Sequence, residues 1–422
     1  MRDLRDRDKK HLWHPLTQHK ISPDMLPIVS AKGCILKDDR GNEYIDAISS
    51  WYTSVYGHCN ELITERVAAQ MKNLDQVVFS GFTHQPAIEL SEALIEVLPA
   101  GQEKLFFNDN GSTATEIGIK MALQYHHNLG NDRKKMLAFE EGFHGDTFGA
   151  MSVSGLSVYN GAFEDHFIEV ERIPVPTGKN NHEVIEQLKM LLSQNNIAGF
   201  IYEPLVQGAA AMKFHDAEGL NEILKICRKN EVILVADEVM TGFGKTGKYF
   251  ASDYIEEKPD VVCMSKALTA GLLPMGLTSC SAKIYDAFYS DEIAKGLFHG
   301  HTYTANPLAC AAALAGLNIL RSSEIQDSIR EISEKNTAFA ERLSKNKKVK
   351  NARSIGVIMA FELDVETDRY GSLRNELFKY FMDNGVFLRP LGNTIYIVPP
   401  YVISKDEIER VYSVIESSLS EF

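Results

Sequence analysis

A lysine and a carboxylate follow two apolar runs that are typical of buried strands. Asp237 comes directly after residues 232–236, and Lys266 follows residues 260–264. Ligands of open parallel sheets bind beyond the carboxyl ends of the strands, so both side chains are placed for chemistry. A desolvated lysine amine can form a Schiff base, and a carboxylate can hold a cofactor's ring nitrogen protonated. The structural alternatives are a lysine that extends from a sheet end into water and an aspartate that caps a turn.

Small hydrogen-bonding residues occupy the predicted start of a helix. Gly111, Ser112 and Thr113 stand between a predicted strand at 104–107 and an amphipathic segment at 114–125. Free N–H groups and the helix dipole at such a start can bind a phosphate. The alternative is an ordinary N-cap formed by Ser112 or Thr113. The stretch therefore predicts either a phosphate site or a plain cap.

Two further patterns match ligand sites less well. Residues 242–247 fit the GxGxxG pattern, but the carboxylate of Glu238 precedes the glycines, and Tyr249 stands where a Walker A loop needs Ser or Thr. A nicotinamide-dependent oxidoreductase built on this run is the alternative from another enzyme class. The histidine pairs at 126–127 and at 299 and 301 lack the partners of a zinc site, and no metal is predicted.

Strand-like and helical patterns alternate through the middle of the chain. The apolar runs predicted to be buried strands are residues 104–107, 136–139, 199–202, 232–236 and 260–264. This alternation implies an α/β fold with a mainly parallel sheet that is covered by helices.

The pattern of predicted helices and strands changes after about residue 322. Helices are predicted at 324–345 and 373–384 and from residue 404, with a strand near 357–363 and a strand pair around 386 and 395–398. We therefore predict three parts: an N-terminal segment (1–50) that packs with the small domain, a large domain (51–322) and a small α+β domain (323–422).

Composition limits the partners and the compartment. The chain has 422 residues, a net charge of −13, 44% hydrophobic and 24% charged residues, which are globular proportions. The negative charge argues against nucleic acid or an anionic membrane as the main partner. Six cysteines without a CxxC pair and a charged first segment predict a cytoplasmic protein. The most apolar segment, residues 307–320, is too short to span a bilayer.

The order of these features resembles the pyridoxal-phosphate enzymes of fold type I. Residues 234–247 together with 265–268 closely resemble the signature of class III aminotransferases, and the resemblance extends from about residue 11 to the C-terminus. Within the class, the chain is most similar to the branch that aminates 8-amino-7-oxononanoate in biotin biosynthesis. The segments that carry this similarity are 11–15, 49–51, 120–125, 144–152, 306–310 and 389–390.

The resemblance implies pyridoxal 5'-phosphate as the cofactor. Lys266 would bind it covalently and act as the catalytic proton carrier, and Asp237 would pair with its ring nitrogen. The other cofactor-binding residues that it implies are Gly111, Ser112, Phe143, His301 and Thr302, with Thr302 reaching the phosphate from the partner subunit of a homodimer.

The resemblance also implies two small-molecule substrates, 8-amino-7-oxononanoate and an amino donor. The implied substrate-binding residues are Leu16, Trp51, Tyr52, Phe143, Gly300, Arg389 and Tyr396, with Arg389 facing the carboxylate of the oxo-acid.

Three of these positions depart from the pattern of the branch. It usually has Tyr at Phe143 and at Leu16, and Trp at Tyr52. A hydrogen-bonding group lost from a substrate site can change discrimination strongly. The predicted donor is S-adenosylmethionine, with lysine as the alternative because residues 301–303 resemble lysine-using relatives. Another class III omega-aminotransferase and a relative that only binds are further alternatives.

Overall fold

The computed structural model describes residues 3–157, 160–194, 196–367 and 371–422. The helical elements are α1 (Leu4–His11), α2 (Ser49–Tyr52, a single turn), α3 (Glu61–Asn73), α4 (Gln85–Ile95), α5 (Gly111–Asn128), α6 (Phe148–Val153), α7 (Asn181–Leu192), α8 (Ala217–Lys229), α9 (Ala282–Phe288), α10 (Pro307–Leu320), α11 (Ser323–Leu343), α12 (Leu373–Asp383) and α13 (Lys405–Glu421). Short 3₁₀ helices span Gly161–His166, Ala251–Tyr254, Lys266–Thr269 and Ile293–Lys295.

Four sheets contain the strands. These are β1 (Ile28–Lys32), β2 (Ile35–Asp38), β3 (Glu43–Asp46), β4 (Gln102–Asn108), β5 (Lys135–Phe139), β6 (Val170–Ile173), β7 (Ile197–Tyr202), β8 (Val206–Gln207), β9 (Lys213–Phe214), β10 (Ile233–Asp237), β11 (Val261–Met264), β12 (Gly276–Ser281), β13 (Val349–Ile355), β14 (Ile358–Leu363), β15 (Val386–Phe387) and β16 (Thr394–Ile397).

The central sheet has seven strands in the order β4-β12-β11-β10-β7-β5-β6. Strand β12 runs antiparallel to both of its neighbours, and the other pairings are parallel. Every residue of β7, β10 and β11 is buried, which is why these strands were readable as continuous apolar runs. The predicted mainly parallel α/β sheet of fold type I is confirmed.

Strands β6 and β12 belong to this sheet but were not predicted. Strand β12 reads Gly-Leu-Thr-Ser-Cys-Ser and is buried, yet it has few of the β-branched and aromatic residues that signal a strand. Its hydroxyls are satisfied inside the protein, because Thr278 donates to the Ala114 carbonyl at 2.7 Å and Ser279 donates to Gln102 Oε1 at 2.7 Å. Long-range hydrogen bonds therefore make this polar segment a core strand.

Helix α5 packs very closely on the sheet. A Cβ at Gly118 would lie 2.9 Å from both Cys263 Sγ and Val235 Cγ1, so the helix backbone lies directly against β10 and β11. This contact brings the first turn of α5 to the edge of the sheet where β10 and β11 end. Sequence elements more than a hundred residues apart thereby meet in one place.

The C-terminal strands join different sheets. Strand β15 pairs in parallel with β3 in the sheet β1-β2-β3-β15, whereas β16 pairs with β14 in the sheet β13-β14-β16. The predicted pairing of the strands around 386 and 395–398 is therefore wrong. Between them Pro390 has no N–H to continue a ladder, and Gly392 turns the chain with φ 63°. The division at residues 50 and 322 stays a prediction.

Helix α10 is the most apolar helix. Within the described ranges, no single helix is both long and apolar enough to cross a bilayer, although α10 and α11 meet these criteria as a pair bent by 69°. Most side chains of α10 are buried against the rest of the protein.

Candidate functional site

A buried aspartate–histidine pair lies at the carboxyl end of β10. Asp237 is the last residue of the strand, and its Oδ2 lies 2.7 Å from Nδ1 of His144, so the imidazole can donate its Nδ1 proton to the carboxylate. The other oxygen, Oδ1, accepts from the N–H of Val239 at 3.0 Å. Asp237 thus caps a turn, as the structural alternative had it, and also keeps one oxygen in a buried polar pair. His144 belongs to segment 144–152, which carries part of the family resemblance, but the sequence predicted no role for it.

Lys266 begins the 3₁₀ helix that follows β11, next to this pair. Its backbone lies in the left-handed region, with φ 51°, which a lysine rarely adopts and which is often found at functional sites. Burial lowers the pKa of the amine, while the charges of Asp237 and Glu203 raise it. A lowered pKa increases the neutral, nucleophilic fraction of the amine. The Nζ atom lies 5.4 Å from the ring centroid of Tyr52.

Ser112 lies in the first turn of α5 but does not cap the helix. Asn110 is the N-cap: its side chain accepts from the N–H of Thr113 at 3.0 Å, and the Thr113 hydroxyl accepts from the N–H of Asn110 at 3.1 Å. The alternative in which Ser112 caps the helix is wrong. The Ser112 hydroxyl instead accepts from the N–H of Asp146 at 3.0 Å. Gly145 makes this contact possible, since a Cβ there would lie 2.3 Å from Ser112 Oγ.

Glu203 holds the backbone around Phe143. This buried carboxylate follows β7 and accepts from the N–H groups of Phe143 at 3.0 Å and Gly208 at 2.8 Å. Burial raises its pKa to about 7, and the neighbouring charge of Asp237 acts in the same direction, whereas His144 opposes both. Sequence reasoning missed Glu203, although the signal that found Asp237, an acid directly after an apolar run, was present there too.

Unpartnered polar atoms face the same region. Gln207 is fully buried, and among the described residues neither its amide nitrogen nor its oxygen has a hydrogen-bond partner. The Nε2 atom of His144 has none either. A Cβ at Gly142 would lie 2.9 Å from this Nε2 and 3.6 Å from Nε2 of Gln207, so both atoms face one small space. Buried polar groups are normally paired, and these atoms can therefore receive a bound group. No sequence signal pointed to Gln207.

A second wall of the site comes from the turn α2 and the C-terminal part of the chain. Tyr52 is buried, and its hydroxyl donates to the hydroxyl of Tyr396 at 3.0 Å. The guanidinium carbon of Arg389 lies 5.2 Å from the ring centroid of Trp51. Because Lys266 contacts the ring of Tyr52, the structure brings all five of these residues to one place.

Four predicted residues lie apart from this cluster within a single chain. Leu16 is 47% exposed, and Gly300 and Thr302 are exposed as well. His301 contacts Asp109 Oδ2 through its Nδ1 at 3.1 Å. Among the described residues, no hydrogen bond or ion pair joins any of these four to Lys266 or Asp237.

Comparisons with known proteins place this geometry in a family. The model of the aminotransferase class III family matches residues 17–419. The adenosylmethionine-8-amino-7-oxononanoate aminotransferase of Synechococcus elongatus is 40% identical over 422 residues, which cover 97% of this chain and 99% of that protein. The enzyme of the same name from Staphylococcus aureus is 33% identical and covers 99% of this chain and 97% of its own.

Solved structures agree with this match. The adenosylmethionine-8-amino-7-oxononanoate aminotransferase of Methanocaldococcus jannaschii superposes with a TM-score of 0.93 at 32% identity, covering 99% of this chain and 98% of that one. An omega transaminase from Pseudomonas jessenii, in complex with PMP, superposes with a TM-score of 0.93 at 25% identity, covering 99% and 98%.

The glycine run at 242–247 has a structural explanation. Within it, Lys245 is fully buried and its Nζ donates to the Gly242 carbonyl at 2.8 Å. The preceding Glu238 accepts from the N–H groups of Ala251 and Ser252, so its carboxylate fastens this loop. The family match contradicts the nicotinamide-dependent alternative. With a lysine and a histidine-paired aspartate at the carboxyl edge of its central sheet, the chain belongs to the class III aminotransferases and is a pyridoxal-phosphate-dependent enzyme.

Proposed function

We propose that this chain transfers an amino group to 8-amino-7-oxononanoate, giving 7,8-diaminononanoate for biotin biosynthesis, with S-adenosylmethionine as the donor. The structural observation that carries the acceptor is the wall formed by Arg389, Trp51 and the Tyr52–Tyr396 pair beside Lys266. It offers a cation and phenols to a carboxylate, and it lies next to the amine that would do the chemistry. The names of the relatives support both substrates.

The residues of the carboxyl edge fit the cofactor of the family. Gly111 and Ser112, at the start of an 18-residue helix, would hold the phosphate through N–H groups and a hydroxyl. Asp237 would pair with the pyridine nitrogen, and Phe143 would cover the ring. The unpartnered atoms of Gln207 and His144 Nε2 support this fit, because a polar group bound there would satisfy them.

Each residue has a defined task in the transfer. When bound, pyridoxal phosphate carries the amino group between the two substrates and takes up the electrons left by a departing proton. Lys266 Nζ takes the proton from the donor carbon and later delivers one to the acceptor carbon. Asp237, whose Oδ2 faces Nδ1 of His144, would hold a proton on the ring nitrogen. Arg389 and Tyr396 orient the oxo-acid by its carboxylate.

The finer features of the assembly are part of the same proposal. The enzyme is a cytoplasmic homodimer in which Thr302, with His301 beside it, reaches the phosphate of the partner subunit. Its neighbours support an interface, since Phe298 is 74% and Tyr303 63% exposed in a single chain. Aromatic side chains are enriched in subunit interfaces and rarely stand free in water.

The substrates can be tested with purified enzyme loaded with cofactor. With 8-amino-7-oxononanoate as acceptor, S-adenosylmethionine should yield 7,8-diaminononanoate by mass spectrometry, and lysine should yield far less. Product from lysine but not from S-adenosylmethionine would overturn the donor and keep the acceptor. No product from either donor would overturn the proposed function.

The shared site can be tested by mixing two inactive chains. A dimer of one Lys266→Ala chain and one Thr302→Ala chain contains one site in which both residues are intact. Activity recovered on mixing is expected if Thr302 acts across the interface. Equal activity before and after mixing, or a fully active monomer in sedimentation, would contradict it.

A further inference from the structure

The turn α2 has an unusual backbone for its residue types. Its four residues have φ angles of 49°, 44°, 72° and 72°, so a run of non-glycine residues lies in the left-handed region. Side chains disfavour this region, and such a run persists only when its surroundings hold it. The buried Asp46 does so, because its Oδ2 accepts from Ser50 Oγ at 2.8 Å and lies 2.8 Å from His58 Nε2.

Both ends of the turn are also fastened to the C-terminal part of the chain. Ser49 Oγ donates to the carbonyl of Val398 at 2.7 Å, and the Tyr52 hydroxyl donates to Tyr396 at 3.0 Å. Tyr396 lies in β16, and Val398 directly follows it. The turn therefore holds the Tyr52 hydroxyl in a fixed position relative to Tyr396.

The hydrogen bond between the two tyrosines of this wall has a defined donor. Burial raises the pKa of Tyr52 well above that of a free phenol, so its hydroxyl keeps its proton at neutral pH. Tyr52 donates to Tyr396. The oxygen of Tyr396 is thus an acceptor, and its own proton remains to be donated.

Among the described residues, no group accepts that proton, although Tyr396 is only 1% exposed. Burial raises the pKa of Tyr396 to about 12, against the lowering by Tyr52 and by the charge of Arg389, so the phenol stays a donor at neutral pH. A buried hydroxyl proton calls for a partner. The charge of the Arg389 guanidinium also acts on this site. An anion is the group that can accept the Tyr396 proton and pair with the guanidinium.

We propose that the Tyr52 hydroxyl is a positioning group for carboxylate-bearing substrates: by donating to Tyr396, it leaves the Tyr396 proton to the carboxylate that Arg389 pairs with. This inference rests on the proposed function for the identity of that substrate. The related branch usually has Trp at this position, so a phenol that donates to Tyr396 is a feature of this sequence.

The test compares an acid with its neutral form. Tyr52→Phe should raise the KM for 8-amino-7-oxononanoate about fivefold, the effect of one hydrogen bond, and leave kcat nearly unchanged. The KM for the methyl ester of the same acceptor should not change, because the ester lacks the anion. Tyr56→Phe is the matched control, since Tyr56 is also buried and its hydroxyl has no partner in the described part of the chain.

A double-mutant cycle separates positioning from general disturbance. In a Tyr396→Phe background, Tyr52→Phe should have little further effect on the KM for the acid. Additive effects, or equal changes for acid and ester, would overturn the inference, and so would a Tyr52→Phe enzyme with the KM of the wild type. Failure of the wild-type enzyme to aminate the oxo-acid at all would instead overturn the proposed function.

Discussion

The two walls of the candidate site are held by different kinds of structure. At the carboxyl edge of the central sheet, Asp237, His144 and Glu203 are buried, and strand ends and short loops hold them. The second wall, which we call the outer wall, contains Trp51, which is 43% exposed on a strained turn, and the buried pair Tyr52 and Tyr396. The comparison teaches that the groups proposed for proton chemistry are fixed by the sheet. The groups proposed to bind the substrate lie on a turn and a strand outside that sheet.

The largest effect is expected at the buried wall, from Lys266→Ala. Loss of the amine would remove both the proposed covalent bond to the cofactor and the proposed proton carrier, so turnover should fall by about four orders of magnitude. After borohydride reduction, mass spectrometry should find the cofactor on the peptide with Lys266 in the wild type only. Lys225→Ala, an exposed lysine paired with Glu256, should keep full activity. Normal turnover by Lys266→Ala would contradict its catalytic role.

Asp237→Asn should have the next largest effect. The variant keeps the shape of the side chain but loses the charge that faces His144 Nδ1 and would hold a proton on the cofactor ring. A single lost electrostatic contact of this kind costs about 10²- to 10³-fold in kcat, which steady-state rates at saturating substrate will measure. Unchanged circular dichroism must accompany the loss. A variant that keeps most of its rate would remove Asp237 from the mechanism.

At the outer wall, Asp46→Asn tests how the strained turn is held. The change weakens the contacts to Ser50 and His58 in a buried setting and should lower the free energy of unfolding by about 1–3 kcal/mol in urea titrations. Asp39→Asn is the matched control, because Asp39 pairs with Arg5 at the surface, where an ion pair contributes little to stability. Equal losses in the two variants would mean that Asp46 does not hold the turn.

The smallest effect is expected from Phe143→Tyr. The substitution returns the hydroxyl usual in the branch to a half-exposed ring whose backbone Glu203 already fixes. One added hydrogen bond should improve kcat/KM for S-adenosylmethionine about two- to tenfold. The same constant for lysine serves as the internal control and should change less. No gain with S-adenosylmethionine would show that the missing hydroxyl does not weaken this donor.

Local sequence patterns were sufficient to predict much of the buried wall. Continuous apolar runs identified β4, β5, β7, β10 and β11, and the polar residues after two of these strands, Asp237 and Lys266, were found because burial makes such strands uniformly apolar. The same rule applied to β7 would have found Glu203. Strand β12 could not be found in this way, since its polar residues are satisfied only by distant partners.

The outer wall depends on contacts between remote segments, which local sequence patterns do not predict. The sequence by itself determined five of the seven strands of the central sheet, the order of its site residues along the chain and the class of enzyme, because each depends on neighbours within a few residues. Only the tertiary structure decided that Asn110 rather than Ser112 caps α5, that β15 and β16 part into separate sheets, and that Tyr52 meets Tyr396, 344 residues away. The physical reason is that a hydrogen bond or a strained turn of this kind exists only after packing has brought remote segments together, and no local periodicity records it.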